Sequence, residues 1–134
     1  NGGSAAVVSH VHNDLSKAAN SRAMVFNETP LLSALANDVS YDTVFKQPVE
    51  MWAEEGDILI AVSSSGRSKS ILLPSHSALE RKCKLITFTG FSDDNPLRGL
   101  GEINFYVASD VYGLVETAHA ALLHFLTDYA SVHS

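Results

Sequence analysis

Hydrophobic positions along the chain fall into blocks of two kinds, and the two kinds alternate. From Ser4 to about Ala19 the apolar residues Val7, Val8, Val11 and Leu15 recur on one side of a helix. Arg22-Ala23-Met24-Val25-Phe26 is short and apolar, a strand pattern. Pro30 opens a helical stretch through about Leu35, by the preference for proline at the first helical position, and Asn37-Asp38 breaks it. Tyr41 to about Trp52 reads as a further helix, made imperfect by Pro48. Gly56-Asp57 then leads into Ile58-Leu59-Ile60-Ala61-Val62, an unbroken apolar run of the kind found in central parallel strands buried on both faces. A helical stretch follows to about Lys82, then a strand at Leu85–Thr89. A polar loop spans 90–101, a strand covers Ile103–Val107, and a long helix runs from about Gly113 to Val132.

Strand, helix, strand, helix is the rhythm of an α/β fold on a mainly parallel sheet. Such sheets bind ligands beyond the carboxyl ends of their strands. Two loops rich in Ser and Gly occupy that edge, provided that a strand leads into Asn1. One is Asn1-Gly2-Gly3-Ser4, expected to end in a helix N-cap at Ser4. The other is Ser63-Ser64-Ser65-Gly66-Arg67-Ser68. Backbone N–H groups at a helix start attract anions, and the helix dipole adds roughly half a positive charge there. The serine loop reads equally well as a plain cap and turn or as a phosphate cradle.

Composition narrows the classes. With 134 residues, 46% hydrophobic and 18% charged, the chain is one ordinary globular domain with a single core. A net charge of −6, with nine scattered Lys and Arg residues, argues against a nucleic-acid partner. No apolar run approaches the roughly 20 residues of a membrane span. The one cysteine, Cys83, forms no intrachain disulfide, is compatible with a reducing cytosol, and reads as a small residue at a strand edge. A chain that starts on a Gly-Gly loop, with no Met and no preceding strand, is expected to begin inside a domain.

Candidate chemistry sits on the first and last helices. His10 and Asp14 are four apart and share a helix face, which suits a metal, an orienting hydrogen bond, or a plain surface pair. The last helix is apolar almost all round, a pattern expected of a buried helix, yet it carries Glu116, His119 and His124. Glu116 projects about 80° from His124 and about 60° from His119, on its other side. Spacing leaves the choice between the two histidines open. Two carboxylates with two or three histidines permit a Zn²⁺-type site.

Taken together, these pieces resemble the sugar isomerase (SIS) domain, and within it the phosphoheptose isomerase group. They are Asn1-Gly2-Gly3-Ser4, His10 with Asp14, Asn37-Asp38, Gly56-Asp57, Ser63-Ser64-Ser65-Gly66 with Ser68, Thr87 with Thr89-Gly90, and Glu116 with His124. The resemblance covers essentially the whole chain, residues 1–134. It implies a three-layer α/β/α sandwich of flavodoxin-like type on a mainly parallel sheet, with the family's N-terminal helix and first strand missing from this chain. It implies a cytoplasmic homotetramer with active sites between subunits. Ser63, Ser64, Ser65 and Ser68 would grip a phosphate. Asn1, Gly2, Gly3 and Ser4, with Asn37 and Asp38, would line the sugar. His10, Asp14, Glu116 and His124 fall on the metal-binding positions of zinc-dependent members, so the resemblance selects His124 over His119. Asp14 and His124 fall on the proton-transfer pair.

Two residues depart from the family pattern. Asp14 stands where the family usually has Glu, and Glu116 where it has Gln, which adds a negative charge. The expected activity is conversion of sedoheptulose 7-phosphate to a heptose 7-phosphate, a precursor of nucleotide-activated heptose for surface glycan, through a metal-assisted enediol. The alternatives are the same chemistry on another long-chain ketose phosphate, with Asp14, Glu116 and Arg67 as the residues that would reflect it, and a non-catalytic SIS module that binds a sugar phosphate and docks a protein partner.

Overall fold

A computed structural model describes residues 1–133. The chain runs α1 (Gly2–Lys17), α2 (Thr29–Asp38), a 3₁₀ turn (Tyr41–Thr43), α3 (Lys46–Trp52), β1 (Ile58–Ser63), α4 (Lys69–Glu80), β2 (Lys84–Thr89), β3 (Ile103–Tyr106) and α5 (Tyr112–His133). The three strands form one parallel sheet in the order β1-β2-β3. Their register sets Ser63 beside Thr89, and Thr89 beside Tyr106. The loops that leave these carboxyl ends therefore emerge side by side.

Helices cover both faces of the sheet, as alternation along the strands requires. Ile60 and Val62 of β1 and Ile86 and Phe88 of β2 pack with Val11 of α1 and Leu123 of α5. Ala61 and Leu85 pack with Ile71 and Leu72 of α4, and with Leu97. Val49 of α3, Ala78 and Cys83 close a further cluster behind Leu59. This is the three-layer α/β architecture that the alternating pattern predicts.

Several expectations change. Arg22–Phe26 forms no ladder, because among the described residues β1 pairs only with β2 and the segment has no strand beside it. Its residues serve other contacts: Phe26 packs on the Val49 cluster, and the Asn27 amide donates to the Ala5 carbonyl and the Ser9 hydroxyl, both at 2.9 Å. Asn37 and Asp38 do not break α2 but form its last turn. The stretch 41–52 divides into the 3₁₀ turn and α3, and Pro48 falls in the first turn of α3, where its missing N–H costs no intrahelical bond. Finally, α5 is not buried all round. Its covered stripe is Val115, His119, Leu123 and Thr127, whereas Leu114, Phe125, Tyr129 and Val132 are exposed.

Candidate active site

Three helix N-termini meet at one pocket. Gly2 and Gly3 open α1, Ser68 precedes α4, and Tyr112 opens α5; all four line the pocket, with Ser63, Ser64 and Ser65 between them. None of these helices carries an acidic residue in its own first turn, and the carboxylate that reaches the pocket, Glu116, comes from the second turn of α5. The ligand class that such a concavity favours is an anion.

The first loop is held by its neighbours. The Asn1 side chain makes no cap bond. Its amide donates to the Ser70 hydroxyl at 3.0 Å, and its oxygen accepts from the Tyr41 hydroxyl at 2.7 Å. Gly2 sits at φ +53, a left-handed conformation that glycine adopts without steric cost. Helix α1 starts there, so Ser4 lies within the first turn and is buried rather than serving as the N-cap. Gly3 has a different reason to be glycine: a Cβ would run into the Glu116 carboxylate, whose Cδ would be only 2.7 Å away. Glu116 thereby faces the pocket.

The serine loop holds itself in shape. The Gly66 N–H donates to the Ser63 carbonyl at 3.1 Å and to the Ser63 hydroxyl at 3.2 Å, and the Arg67 N–H donates to the Ser65 hydroxyl at 3.3 Å. The Ser64 hydroxyl is shielded from solvent and has no hydrogen-bond partner among the described residues. Arg67 turns outward to Asp94 at 2.6 Å, so this charge is directed away from the pocket.

Farther along the same two helices, His10, Asp14 and His124 converge. The Asp14 carboxylate lies 3.2 Å from His10 Nε2 and 3.9 Å from His124 Nδ1, and the two rings are 5.1 Å apart. One ligand atom from each residue lies within 4.8 Å of the others. Two imidazoles and a carboxylate suit a divalent ion of the zinc type held by three protein ligands with a position left open. Glu116 is not part of this group. It precedes His124 by eight residues on α5, about 12 Å of helix axis. The angular projection of a helical wheel hides that rise.

His119 has a different task. Its ring is buried, Nε2 lies 3.0 Å from the Thr89 carbonyl, and its edge packs on Phe88. A carbonyl only accepts, so Nε2 carries the proton, and Nδ1 is left buried without a partner among the described residues. Burial pushes this imidazole below its usual range, opposed by the Thr89 bond and the Glu116 charge. The geometry thus separates the two histidines that spacing could not: His124 joins Asp14, and His119 is a core residue. Asn37 and Asp38 lie elsewhere, exposed at the end of α2 and hydrogen-bonded to each other at 2.9 Å. Tyr112, which lines the pocket, escaped the sequence reading. Its available signal was position, since it opens the helix that follows β3 after a five-residue loop.

The fold, the anion pocket and its two Ser/Gly loops define an α/β domain built to hold an anion beyond the carboxyl ends of its strands. Residues 1–90 match the SIS domain family, and the chain belongs to that family. Among its relatives, the probable phosphoheptose isomerase of Thermoplasma acidophilum is 35% identical over 133 residues, covering 94% of this chain and 72% of that protein. The phosphoheptose isomerase of Shewanella denitrificans is 34% identical over 104 residues, 75% of this chain but 53% of its own length. In structure, a phosphoheptose isomerase from Neisseria gonorrhoeae superposes with a TM-score of 0.90 at 27% identity, covering 97% of this chain and 72% of that one. The phosphoheptose isomerase of Francisella tularensis shares the fold, with a TM-score of 0.87 at 24% identity over 98% of this chain and 73% of that chain. The resemblance read from the loops and helices is borne out.

Proposed function

We propose that the chain is an aldose–ketose isomerase of sugar phosphates that converts sedoheptulose 7-phosphate to a heptose 7-phosphate, a precursor of nucleotide-activated heptose for surface glycan. One observation carries this reading: an anion pocket at three helix N-termini and, along α1 and α5, a carboxylate between two imidazoles. From Gly3 to His10, whose ring meets the Asp14 carboxylate at 3.2 Å, is seven residues, about 10 Å of helix. An extended seven-carbon phosphate is of that length, so its phosphate would rest in Ser63–Ser68 while its carbonyl end reaches Asp14.

The chemistry follows from the groups at each end. Ser63, Ser64, Ser65 and Ser68 hold the phosphate with hydroxyl and N–H donors, and Asn1, Gly2, Gly3, Ser4 and Glu116 face the sugar. The Asp14 carboxylate removes the C1 proton of the ketose, and the electron pair moves to C1–C2 as the C2 carbonyl becomes an enediol oxygen. His124 protonates O2 and takes the O1 proton. Return of the proton from Asp14 to C2 then leaves an aldehyde at C1. His10, Asp14 and His124 would hold Zn²⁺, and when bound it supplies Lewis-acid polarisation of the substrate oxygens. In this chain Glu116 serves the pocket rather than that ion.

The reading includes assembly. Leu114, Phe125, Tyr129 and Val132 on the outer face of α5 would be covered by further copies in a homotetramer, leaving Asn37 and Asp38 available to a neighbouring subunit's pocket. Light scattering on purified protein tests this. A cytoplasmic setting is part of the proposal, supported by a single unpaired cysteine.

The decisive experiment assays sedoheptulose 7-phosphate, within a panel of C5 to C8 ketose phosphates, against wild type, Asp14→Asn and His124→Ala, with metal analysis of each. Turnover lost by at least about 10²-fold in both variants is expected. Wild-type turnover unchanged in both variants would overturn the assignment. Tight sugar-phosphate binding without turnover or metal would favour the non-catalytic module.

A further inference from the structure

The loop that follows β2 grips the serine loop from behind, and its centre is Asn95. Gly90 N–H donates to the Ser64 carbonyl at 2.9 Å, and Leu97 N–H donates to the Gly66 carbonyl at 3.2 Å. Asn95, only 2% exposed, organises the loop that carries both donors. Its amide donates to the Gly90 carbonyl at 3.3 Å and the Ser92 carbonyl at 2.8 Å, and its oxygen accepts from the Arg98 N–H at 2.9 Å. The same carboxamide fills the space over Gly66. That residue sits at φ +62, and a Cβ there would collide with the Asn95 side chain. Buried on every side and fully hydrogen-bonded, this amide has a single low-energy position.

From this geometry we infer that Asn95 is the positioning residue of the phosphate loop, setting affinity for the phosphate group without touching it. The physical reason lies in the peptide dipoles. An anion is attracted to N–H groups and repelled by carbonyl oxygens. With the Ser64 and Gly66 carbonyls bonded to the second loop, the negative ends of those peptides are held away from the pocket. Asn95 maintains the loop that holds them. The exposed Arg67–Asp94 pair spans the same two loops, but both partners are largely in solvent, where such pairs contribute little. No base pattern or spacing signals Asn95 in the sequence; its role follows only from the contact between two loops that are far apart along the chain.

The inference rests on the phosphate reading of Ser63–Ser68, and its test separates the two. Binding of inorganic phosphate and of sedoheptulose 7-phosphate is measured by calorimetry on wild type, Asn95→Asp, Asn95→Ser, Gly66→Ala and Asp94→Asn. Asn95→Asp keeps the shape and replaces two donors with an acceptor. Gly66→Ala strikes the same contact from the other side, and gives a second route if the Asn95 variants do not fold. A rise in Kd of about tenfold or more is expected for the Asn95 and Gly66 variants, and Asp94→Asn should stay within about twofold. In turnover assays the loss should appear in KM, with kcat changed far less. A variant that is merely less stable lowers the active fraction and leaves KM and Kd unmoved. If wild type binds phosphate and the Asn95 and Gly66 variants bind it equally well, the role of Asn95 is refuted and the phosphate loop stands. If wild type binds neither ligand, the phosphate reading fails and takes this inference with it.

Discussion

Ser64→Ala should change stability and affinity in opposite directions. Ser64 lines the anion pocket, and its hydroxyl is shielded from solvent with no hydrogen-bond partner among the described residues. An unsatisfied buried hydroxyl costs about 1–3 kcal/mol. Alanine carries a hydrogen in place of the hydroxyl, which removes that cost and leaves only a small void. The unliganded variant should therefore gain about 1 kcal/mol, or about 3–4 °C in Tm for a domain of this size. The bound state loses instead. A hydrogen bond to a charged phosphate oxygen contributes about 1.5–3 kcal/mol, so Kd for inorganic phosphate should rise by about 10- to 150-fold. Thermal scans with and without phosphate read both effects on one sample: the variant melts higher alone and gains less from ligand. Ser63→Ala is the internal contrast, because the Ser63 hydroxyl already accepts from Gly66 N–H and its loss should lower Tm. A Ser64→Ala protein that melts below wild type without ligand, or binds phosphate with unchanged Kd, refutes the reasoning.

Three further outcomes are expected. Lys82 follows the C-terminus of α4 at φ +60, a position that favours glycine, and its exposed ion pair with Glu55 contributes little; Lys82→Gly should raise stability by about 0.5–1 kcal/mol in urea titrations. Burial holds the His119 imidazole below its usual range, so the folded form takes up a proton less readily than the unfolded chain. Stability from this group is complete above about pH 6.5 and falls as pH drops below it. The Tm advantage of wild type over His119→Phe should accordingly shrink between pH 7 and pH 5. Leu123→Ala empties a fully covered site between α1, α5 and the sheet, and should cost about 2–5 kcal/mol by chemical denaturation.

The layers of the fold were legible because β1 and β2 are covered on both faces. Ile58–Val62 is a continuous apolar run, and Leu85–Thr89 is apolar except for Thr87 and Thr89. Arg22–Phe26 misled for the same reason. Its composition suits a strand, but a strand needs a neighbour, and neighbours are a property of the whole sheet. The all-round apolarity of α5 read as burial, yet one chain has a single face on which to pack it. At the site, spacing found His10 with Asp14 because four residues make one helical turn. It could not choose between His119 and His124, which depends on which face of α5 meets α1 and which meets the end of β2. Asn95 had no local signal at all, since its partners are two loop backbones.

The placement of Glu116 gives the site its direction. On α5 it lies about 12 Å from His124, and on α1 Gly3 lies about 10 Å from His10. The two helices run side by side, with Glu116 against Gly3 at one end and His124 beside Asp14 at the other. The result is two carboxylates at a fixed separation, one at the mouth of an anion pocket and one between imidazoles. A carboxylate accepts hydrogen bonds and repels an anion, so Glu116 favours hydroxyl groups next to the phosphate rather than a second phosphate. On the proposed function, the asymmetry would set which end of a sugar phosphate goes where: phosphate toward the helix N-termini, hydroxyls along Glu116, and the carbonyl end toward Asp14. A ligand too short to span that separation cannot hold both ends at once. On the proposed function chain length would be read as a distance between helix positions, and a side chain at Gly3 would disturb it by displacing Glu116.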